Sequence, residues 1–345
     1  MKILIATDAW FPQTNGVVTT LDKITQILRK NGHDVVVINP GELKTLPMPT
    51  YPEIRLALFP GRYIRKQLDK FAPDAIHIAT EGPIGFSVRS YCLRKGLSFT
   101  TSYHTQYPEY IRLRLPIPLS FSYWFMKWFH GPAIKTMVPT ESIRKRLSER
   151  GFKHVVIWSR GVDTDLFKPN QVVHKNNEHP VFIYVGRVAV EKNLDAFLSL
   201  DVPGQKVVVG DGPDRQRMQS NYPEVHFTGY QYGEELAATI ADANVFVFPS
   251  KTDTFGLVML EAMACGLPVA AYPVSGPIDV VINGETGVLH NDLAVAVSEA
   301  LKLNGMFPRE YALRHSWEHS AQHFIDNLAP RQFLQHDRFT EERKI

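Results

Sequence analysis

Apolar and polar positions alternate in short blocks along the whole chain, switching between strand-like and helix-like patterns. Apolar runs at 3–7 (ILIAT), 35–39 (VVVIN), 75–79 (AIHIA), 99–103 (FTTSY), 136–139 (TMVP) and 154–158 (HVVIW) read as strands. Between the first two, Leu21, Ile24, Ile27 and Leu28 recur at helical spacing and stop near Asn31–Gly32. Further helical stretches fall near 61–71, 84–94 and 141–150. Pro169–Pro180 (PNQVVHKNNEHP) is polar and reads as a linker. Alternation then restarts with strands at 181–186, 205–210, 225–229, 245–250 and 268–272, and helical patterns near 292–303 and 309–328 close the chain. Strands alternating with helices predict parallel sheets. The expectation is an α/β protein of two Rossmann-like doubly wound domains facing a central cleft. Residues 1–168 would form the first and 169–308 the second, with a helical segment at 309–345 packing back toward the first.

The stretch TDTFGLVMLEAMACGLPV, Thr252–Val269, joins two of these strands. From Gly256 the pattern is helical through Leu257, Leu260 and Ala264; Gly266 suits the C-cap and Pro268 stops the helix. In a strand–helix–strand unit the helix N-terminus faces the ligand crevice, and its unpaired N–H groups favour anions, phosphates especially. Asp253 precedes the helix, where it can cap it or accept hydrogen bonds from ligand hydroxyls. Glu261 lies more than a turn inside, so capping does not account for it; an exposed helix position is the plain alternative.

A chain of 345 residues is long for one core, and 44% hydrophobic with 21% charged residues is an ordinary globular composition. No run approaches the ~20 apolar residues of a membrane span, and MKILIATDAWFP reads as a first strand, not a secretory leader. Cys92 and Cys265 make no disulfide or metal framework, which fits a cytoplasmic setting. Charge changes the picture more. Residues 1–170 carry 24 Lys and Arg against 13 Asp and Glu, a net +11, while the remainder carries 14 against 22, a net −8. A basic half suits an anionic surface, membrane or nucleic acid, although solvated helix faces would look the same.

Several chemistries are excluded by motif. VVVGDGP has Gly210 and Gly212 but no third glycine of the dinucleotide fingerprint, and there is no phosphate loop, zinc helix or nucleophile elbow. His315, His319 and His323 stand four apart without an added carboxylate or cysteine, and the aspartates of DTD, Asp163 and Asp165, suit a turn better than a metal. No metal is expected. In YVGRVAVEKN a strand ends at Gly186, and Arg187 and Lys192 follow as a pair of cations able to clamp a diphosphate, unless Glu191 merely pairs with one of them at the surface.

Together FPQTNGVVTT, EGPIG, SYHTQYPEY, SRGVDTDLF, YVGRVAVEKN, VVVGDGP and DTFGLVMLEAMACGLPV resemble the retaining glycosyltransferases of family 4, whose two facing Rossmann-like domains are called GT-B. The matches run in the family's order over nearly the whole chain; the first acid of the family's acid-x7-acid motif, often glutamate, is Asp253 here. The resemblance implies transfer of a sugar from a UDP- or GDP-sugar without a metal or other cofactor. It implies that Glu261 holds the ribose, that Asp253 with the amides around Phe255, Gly256 and Leu257 holds the sugar and diphosphate, and that Arg187 and Lys192 bind the diphosphate. Gly16, Arg160, Gly186 and Gly229 fall in donor-binding motifs. His104 matches a histidine beside the transferred sugar, and Asn15, Glu81 and Tyr107 fall on the acceptor side. TDTFG and YHTQYP resemble the branch of lipid glycosyltransferases and mannosyltransferases.

The acceptor is read from YIRLRLPIPLSFSYWFMKWFHGPAIK, 110–135, which mixes aromatics with Arg112, Arg114, Lys127 and Lys135. Trp124, Phe125, Trp128 and Phe129 suit either a membrane interface or a core helix. With the basic half, the expectation is a lipid acceptor such as diacylglycerol and a peripheral position on the inner face of the membrane. A mannosyltransferase using GDP-mannose on a soluble saccharide is the alternative. A nucleotide-sugar epimerase and a nucleic-acid-binding protein are further readings; the acceptor-like segment after His104 speaks against the first, and the lack of a binding module against the second.

Overall fold

The computed structural model describes residues 1–13, 15–48, 51–114, 116–170 and 179–330; most of the expected linker lies outside them. The chain divides into two compact units. Unit one comprises Met1–Pro108, Ile117–Ser159 and the chain from Ala321, and unit two comprises Glu109–Pro116 and Arg160–Ser320.

Unit one is built on β1 (Lys2–Ala6), β2 (Asp34–Ile38), β5 (Ala75–Ile78), β6 (Thr100–Ser102), β7 (Lys135–Val138) and β8 (Val155–Ile157), with a separate antiparallel pair β3 (Thr45–Met48) and β4 (Tyr51–Ala57). The six strands are parallel in the order β2-β1-β5-β6-β7-β8. Ile3, Leu4, Ile5 and Ala6 are fully buried, which is why β1 reads as a continuous apolar run: helices cover both faces of the sheet. Unit two repeats the plan with β9 (Val181–Val185), β10 (Gln205–Val209), β11 (His226–Gly229), β12 (Val245–Phe248), β13 (Val269–Ala271) and β14 (Gly287–Leu289), all parallel, in the order β11-β10-β9-β12-β13-β14. The expected doubly wound α/β class is what the two sheets show.

Each sheet has one place where consecutive crossovers turn in opposite directions, between β1 and β5 in unit one and between β9 and β12 in unit two. The loops leaving such a pair part from each other and open a crevice at the carboxyl edge. In unit one the crevice loops are tied by Asp8, which follows β1. Its Oδ1 accepts from the Ile84 amide at 2.9 Å and its Oδ2 from Gly85 at 3.2 Å, and Thr80 Oγ1 accepts from the Asp8 amide at 2.7 Å. Burial pushes this carboxyl above the ordinary aspartate range, and the two amides at the start of the helix Pro83–Lys95 oppose that shift.

The expected boundaries at 168/169 and 308/309 differ from the observed ones. Arg160–Lys168 stays with unit two because Arg309 donates to the carbonyls of Phe167 and Ala264 at 2.8 Å and of Thr164 at 3.1 Å, and Val162 donates to the His315 carbonyl at 2.9 Å. From Ala321 the chain joins unit one, where Phe324 packs on His77 and Trp158 with ring centroids 4.9 and 4.8 Å apart. The helix expected over 309–328 is two helices, Met306–Leu313 and Trp317–Asn327, broken where His315 makes its bonds. His315 is therefore not on the helix of His319 and His323, and the described residues hold no group of three metal-ligating side chains. Asp163 Oδ1 accepts from the Leu166 amide at 3.1 Å, the turn that sequence favoured over a metal.

Gly210 shows what the glycines after β10 do. At φ +137, a Cβ there would stand 1.9 Å from the Gly186 carbonyl oxygen, so the loops after β9 and β10 touch backbone to backbone. Gly210→Ala should therefore lower stability by about 2–4 kcal/mol, adding strain to overlap. Gly61→Ala, at the open first position of the helix Gly61–Phe71, should be close to neutral. Thermal melting of both variants checks this; equal melting temperatures would contradict the packing described.

Candidate functional site

The crevice loops of unit two are joined by an ion pair. After β9 the chain makes a 3-10 turn, Val190–Lys192, and leaves it through Asn193 at φ +54, a left-handed conformation that asparagine tolerates. That turn points Lys192 at the loop after β12. Its Nζ donates to both oxygens of Asp253, at 2.7 and 2.9 Å, with both side chains more than four-fifths buried. Asn193 adds a bond to the Pro249 carbonyl at 3.1 Å, and Ser250 and Thr252 hydroxyls donate to the Glu191 carbonyl at 3.4 Å. Burial alone disfavours the Lys192 ammonium. The Asp253 carboxylate beside it outweighs that cost, and the lysine stands above its ordinary value, charged throughout the neutral range.

Asp253 does not cap the following helix. The helix runs Leu257–Ala264 and its N-cap is Gly256 at φ +80, with no side-chain cap. Gly256 has no side chain with which to cap the first amides of that helix, and the αL conformation is the reason glycine stands there. Phe255 is buried just before it. In the middle of the helix Met259, Leu260, Ala262, Met263 and Ala264 are buried, whereas Glu261 is half-buried; it is neither a core residue nor a fully exposed one.

Arg187 is half-buried at the end of β9, one residue after Gly186, and its carbonyl accepts from the Tyr184 hydroxyl at 2.9 Å. Gly229 closes β11 at φ +82, and its carbonyl accepts from the Gly210 amide at 2.7 Å. Tyr230 follows it. Burial raises this phenol, and the Arg187 guanidinium acts against the rise, so the two side chains lie within electrostatic reach. Arg160 is buried, and burial brings its guanidinium down to about 9, still protonated at neutral pH. Gly186, Arg187 and Lys192 thus follow β9, and Asp253, Phe255, Gly256 and Leu257 follow β12, with the Lys192–Asp253 pair joining the two loops. Glu191 departs from its surface reading, since it is buried.

Tyr110 is the residue that sequence reasoning passed over. It belongs to the segment grouped with unit two, and its phenol lies among Thr252, Lys192, Asp253 and Glu191, with burial pushing it up. Its partners are remote in the chain, so no local spacing marks it.

The remaining expected residues sit in unit one. Asn15 is the N-cap of the helix Gly16–Lys30; its Oδ1 accepts from Val17 at 3.0 Å and Val18 at 3.1 Å, and Gly16 is the first helical residue. His104 is buried after β6, edge-on to Trp158. Glu81 follows β5 and meets His130 Nε2 at 3.1 Å, while His130 Nδ1 meets Thr101 Oγ1 at 2.9 Å. Tyr107 is exposed at the start of the helix Tyr107–Arg114. The aromatic helix runs Leu119–His130 and divides its faces. Tyr123, Met126 and Phe129 are core, whereas Phe121 (58% exposed), Trp124 (61%) and Trp128 (47%) form an outward stripe. Lys127 is exposed on the same helix, while Lys135 is committed to Asn327 at 3.2 Å. The core reading of this stretch thus holds for one face, and the other is exposed. A cavity of about 460 Å³ beside Cys265 and Pro268 opens at the amino edge of the unit-two sheet, away from these loops.

The loop after β9 thus carries two cations, Arg187 and Lys192, and the segment after β12 carries two carboxylates, Asp253 and Glu261, and a helix that starts at a glycine. That combination suits a diphosphate carrying sugars on either side. The model of Glycosyltransferase Family 4 matches residues 14–166, and that of Glycosyl transferases group 1 matches residues 179–303. A GDP-mannose-dependent alpha-mannosyltransferase of Mycobacterium tuberculosis is 31% identical over 84% of this chain and 83% of its own. An alpha-monoglucosyldiacylglycerol synthase of Acholeplasma laidlawii is 26% identical over 78% and 79%. Among solved structures, sucrose-phosphate synthase from Thermosynechococcus elongatus superposes with a TM-score of 0.74 at 20% identity, covering 94% of this chain and 97% of that one.

The ion pair should be measurable apart from any activity. Lys192→Ala removes the counter-ion bonded to Asp253 and should destabilise more than Lys192→Ala with Asp253→Ala together. The coupling in a double-mutant cycle should be about 1–3 kcal/mol. Because the lysine titrates above its ordinary value, the contribution is present below that value and is lost only at strongly alkaline pH. Additive single effects at pH 7 would show that the pair is not formed.

Proposed function

The chain belongs to glycosyltransferase family 4 and is a glycosyltransferase using nucleotide sugars. From that premise we propose that it transfers a hexose, mannose from GDP-mannose first among the candidates, to a membrane lipid such as diacylglycerol, with retention at the anomeric carbon. The observation that carries the donor side is the stapled crevice of unit two. In this reading the diphosphate rests on the amides that follow Gly256 and on Arg187 and Lys192, Glu261 receives the ribose hydroxyls, and Asp253 the sugar. Asp253 has a second task, since its two bonds hold the Lys192 ammonium in place. Gly186 and Gly229 line the approach, and Arg160 adds charge. Gly16, Asn15, Glu81, His104 and Tyr107 are kept for donor approach and acceptor.

The chemistry follows from where charge develops. As the bond from C1 to the phosphate oxygen breaks, its electron pair goes to the diphosphate and C1 becomes oxocarbenium-like. Fixed cations and amides stabilise the growing charge without reorganising. The acceptor hydroxyl forms the new C1–O bond on the face the diphosphate leaves, and its proton passes to the departing phosphate oxygen. Since Arg187, Lys192 and the helix amides supply the countercharge, no metal is required.

Glu261→Ala should weaken nucleotide-sugar binding by about 1.5–3 kcal/mol for each charged hydrogen bond lost, and Lys192→Ala should mainly lower kcat. Activity should survive EDTA. Steady-state kinetics with GDP- and UDP-sugars decides; unchanged donor KM in a folded Glu261→Ala enzyme, or metal-reversible loss with EDTA, would count against the assignment.

The outward stripe supports the lipid side. Phe121, Trp124 and Trp128 bring apolar area and interface-preferring indoles to one helix face, next to Lys127 in the basic part of the chain. Among the described residues no helix is long and apolar enough to cross a membrane, so the proposed association is with its surface. Cosedimentation with anionic vesicles should show a salt-sensitive part, on the scale of about 1 kcal/mol per well-placed cation. A salt-resistant part should disappear in Trp124→Ala with Trp128→Ala. No binding to anionic vesicles at low salt would turn the reading to a mannosyltransferase acting on a soluble saccharide.

A further inference from the structure

We propose that a cavity of unit one, beside the loop after β1, is an acceptor subsite selective for a head group bearing a single negative charge. This rests on the transfer reading and narrows its acceptor, putting a lipid or saccharide with one negative charge in place of uncharged diacylglycerol.

The cavity measures about 200 Å³ and is lined by Trp10, Phe11, Pro40, Leu43, Thr45 and Arg55 among others. It lies at the carboxyl edge of the sheet, where β1 and β2 end and the β3–β4 pair folds over them. The size suits one sugar ring or head group and is small against the roughly 300–1,000 Å³ of sites that enclose larger ligands. Two features of the lining are unlike ordinary surface. Trp10 and Phe11 stand edge to face, ring centroids 5.6 Å apart at 78°, with Phe11 57% exposed. They are held there by the backbone: the Gln13 amide donates to the Trp10 carbonyl at 3.1 Å and Gln13 Nε2 to the Asp8 carbonyl at 3.2 Å. Asp8 is itself fixed on the amides of Ile84 and Gly85. A rigid loop is keeping large aromatic faces in water.

Opposite in chemistry stands Arg55, the one charged side chain lining the cavity among the described residues. Its Nε donates to Thr45 Oγ1 at 3.0 Å and its Nη2 to the Thr45 carbonyl at 3.4 Å. These bonds set the guanidinium plane and leave Nη1 for a ligand. An aromatic face accepts the C–H side of a sugar ring, and a guanidinium accepts a carboxylate or phosphodiester. As the one charged side chain of the lining among the described residues, Arg55 matches one negative charge; a dianionic phosphate would remain half-compensated. The same chemistry is offered by a soluble uronic acid glycoside and by a phosphodiester lipid head group.

The test uses two matched pairs of probes on the full chain. The soluble pair is p-nitrophenyl glucuronide and p-nitrophenyl glucoside. The lipid pair is neutral phosphatidylcholine vesicles containing either phosphatidylinositol or monoglucosyl diacylglycerol. Binding is followed by tryptophan fluorescence, and transfer by kcat/KM with a fixed nucleotide sugar. The charged member of at least one pair should bind and react about tenfold better, and the responding pair identifies the source. Arg55→Gln should bring that ratio to about one with donor KM unchanged, Arg55→Lys should keep part of it, and Trp10→Ala should weaken both members. Absence of charge preference in binding to either pair, or a preference that persists in Arg55→Gln, overturns the subsite. Charge-selective binding that needs Arg55, without turnover of any nucleotide sugar, would sink the transfer reading and leave the subsite standing.

Discussion

The ion pair between Lys192 and Asp253 is the constraint on which the second unit's crevice depends. The topology parts the loops after β9 and β12, because the crossovers on either side run in opposite directions. Left alone, two such loops would be free to move independently. One ammonium bonded to both oxygens of one carboxylate ties them together, with Asn193, Ser250 and Thr252 adding weaker ties across the same gap. Most of the pair is out of water, so its attraction is poorly screened and its loss would leave a charge stranded. The helix that begins at Leu257 is aimed by the second of these loops, and the first carries Arg187. The start of that helix and the two cations are therefore fixed relative to each other through the pair.

Unit one solves the same topological problem with different chemistry. There a buried aspartate, Asp8, bonds to helix amides across the parting of β1 and β5, with a bond from the Thr80 hydroxyl beside them.

How much of this was legible in the sequence varies with the range of the interaction. The strands were legible nearly to the residue, because a strand covered on both faces must be apolar throughout, as at Ile3–Ala6 and Val245–Phe248. The helix Leu257–Ala264 was legible from Gly256 and the apolar run behind it. What escaped was set by contacts between distant segments. The β3–β4 pair lacks a clean alternation, so its strands and Arg55 went unseen. Asp253 was read as a cap or a ligand for hydroxyls, and its bond to Lys192 spans a separation that no periodicity reports. The boundary near 160 was missed because Arg309, far along the chain, holds Thr164 and Phe167 to the second unit. The helix Leu119–His130 gave a composition that fits core and membrane alike, and only its placement shows which side chains are buried and which are exposed.

The central claim is that the loops after β9 and β12 of unit two form the nucleotide diphosphate site. Hydrogen–deuterium exchange with and without saturating GDP or UDP, in EDTA, tests it most directly. The account predicts that the nucleotide slows exchange at Gly186–Asn193 and at the amides following Gly256, with little change in the helix Leu119–His130. Protection confined to other segments, with these two loops unaltered, would contradict it.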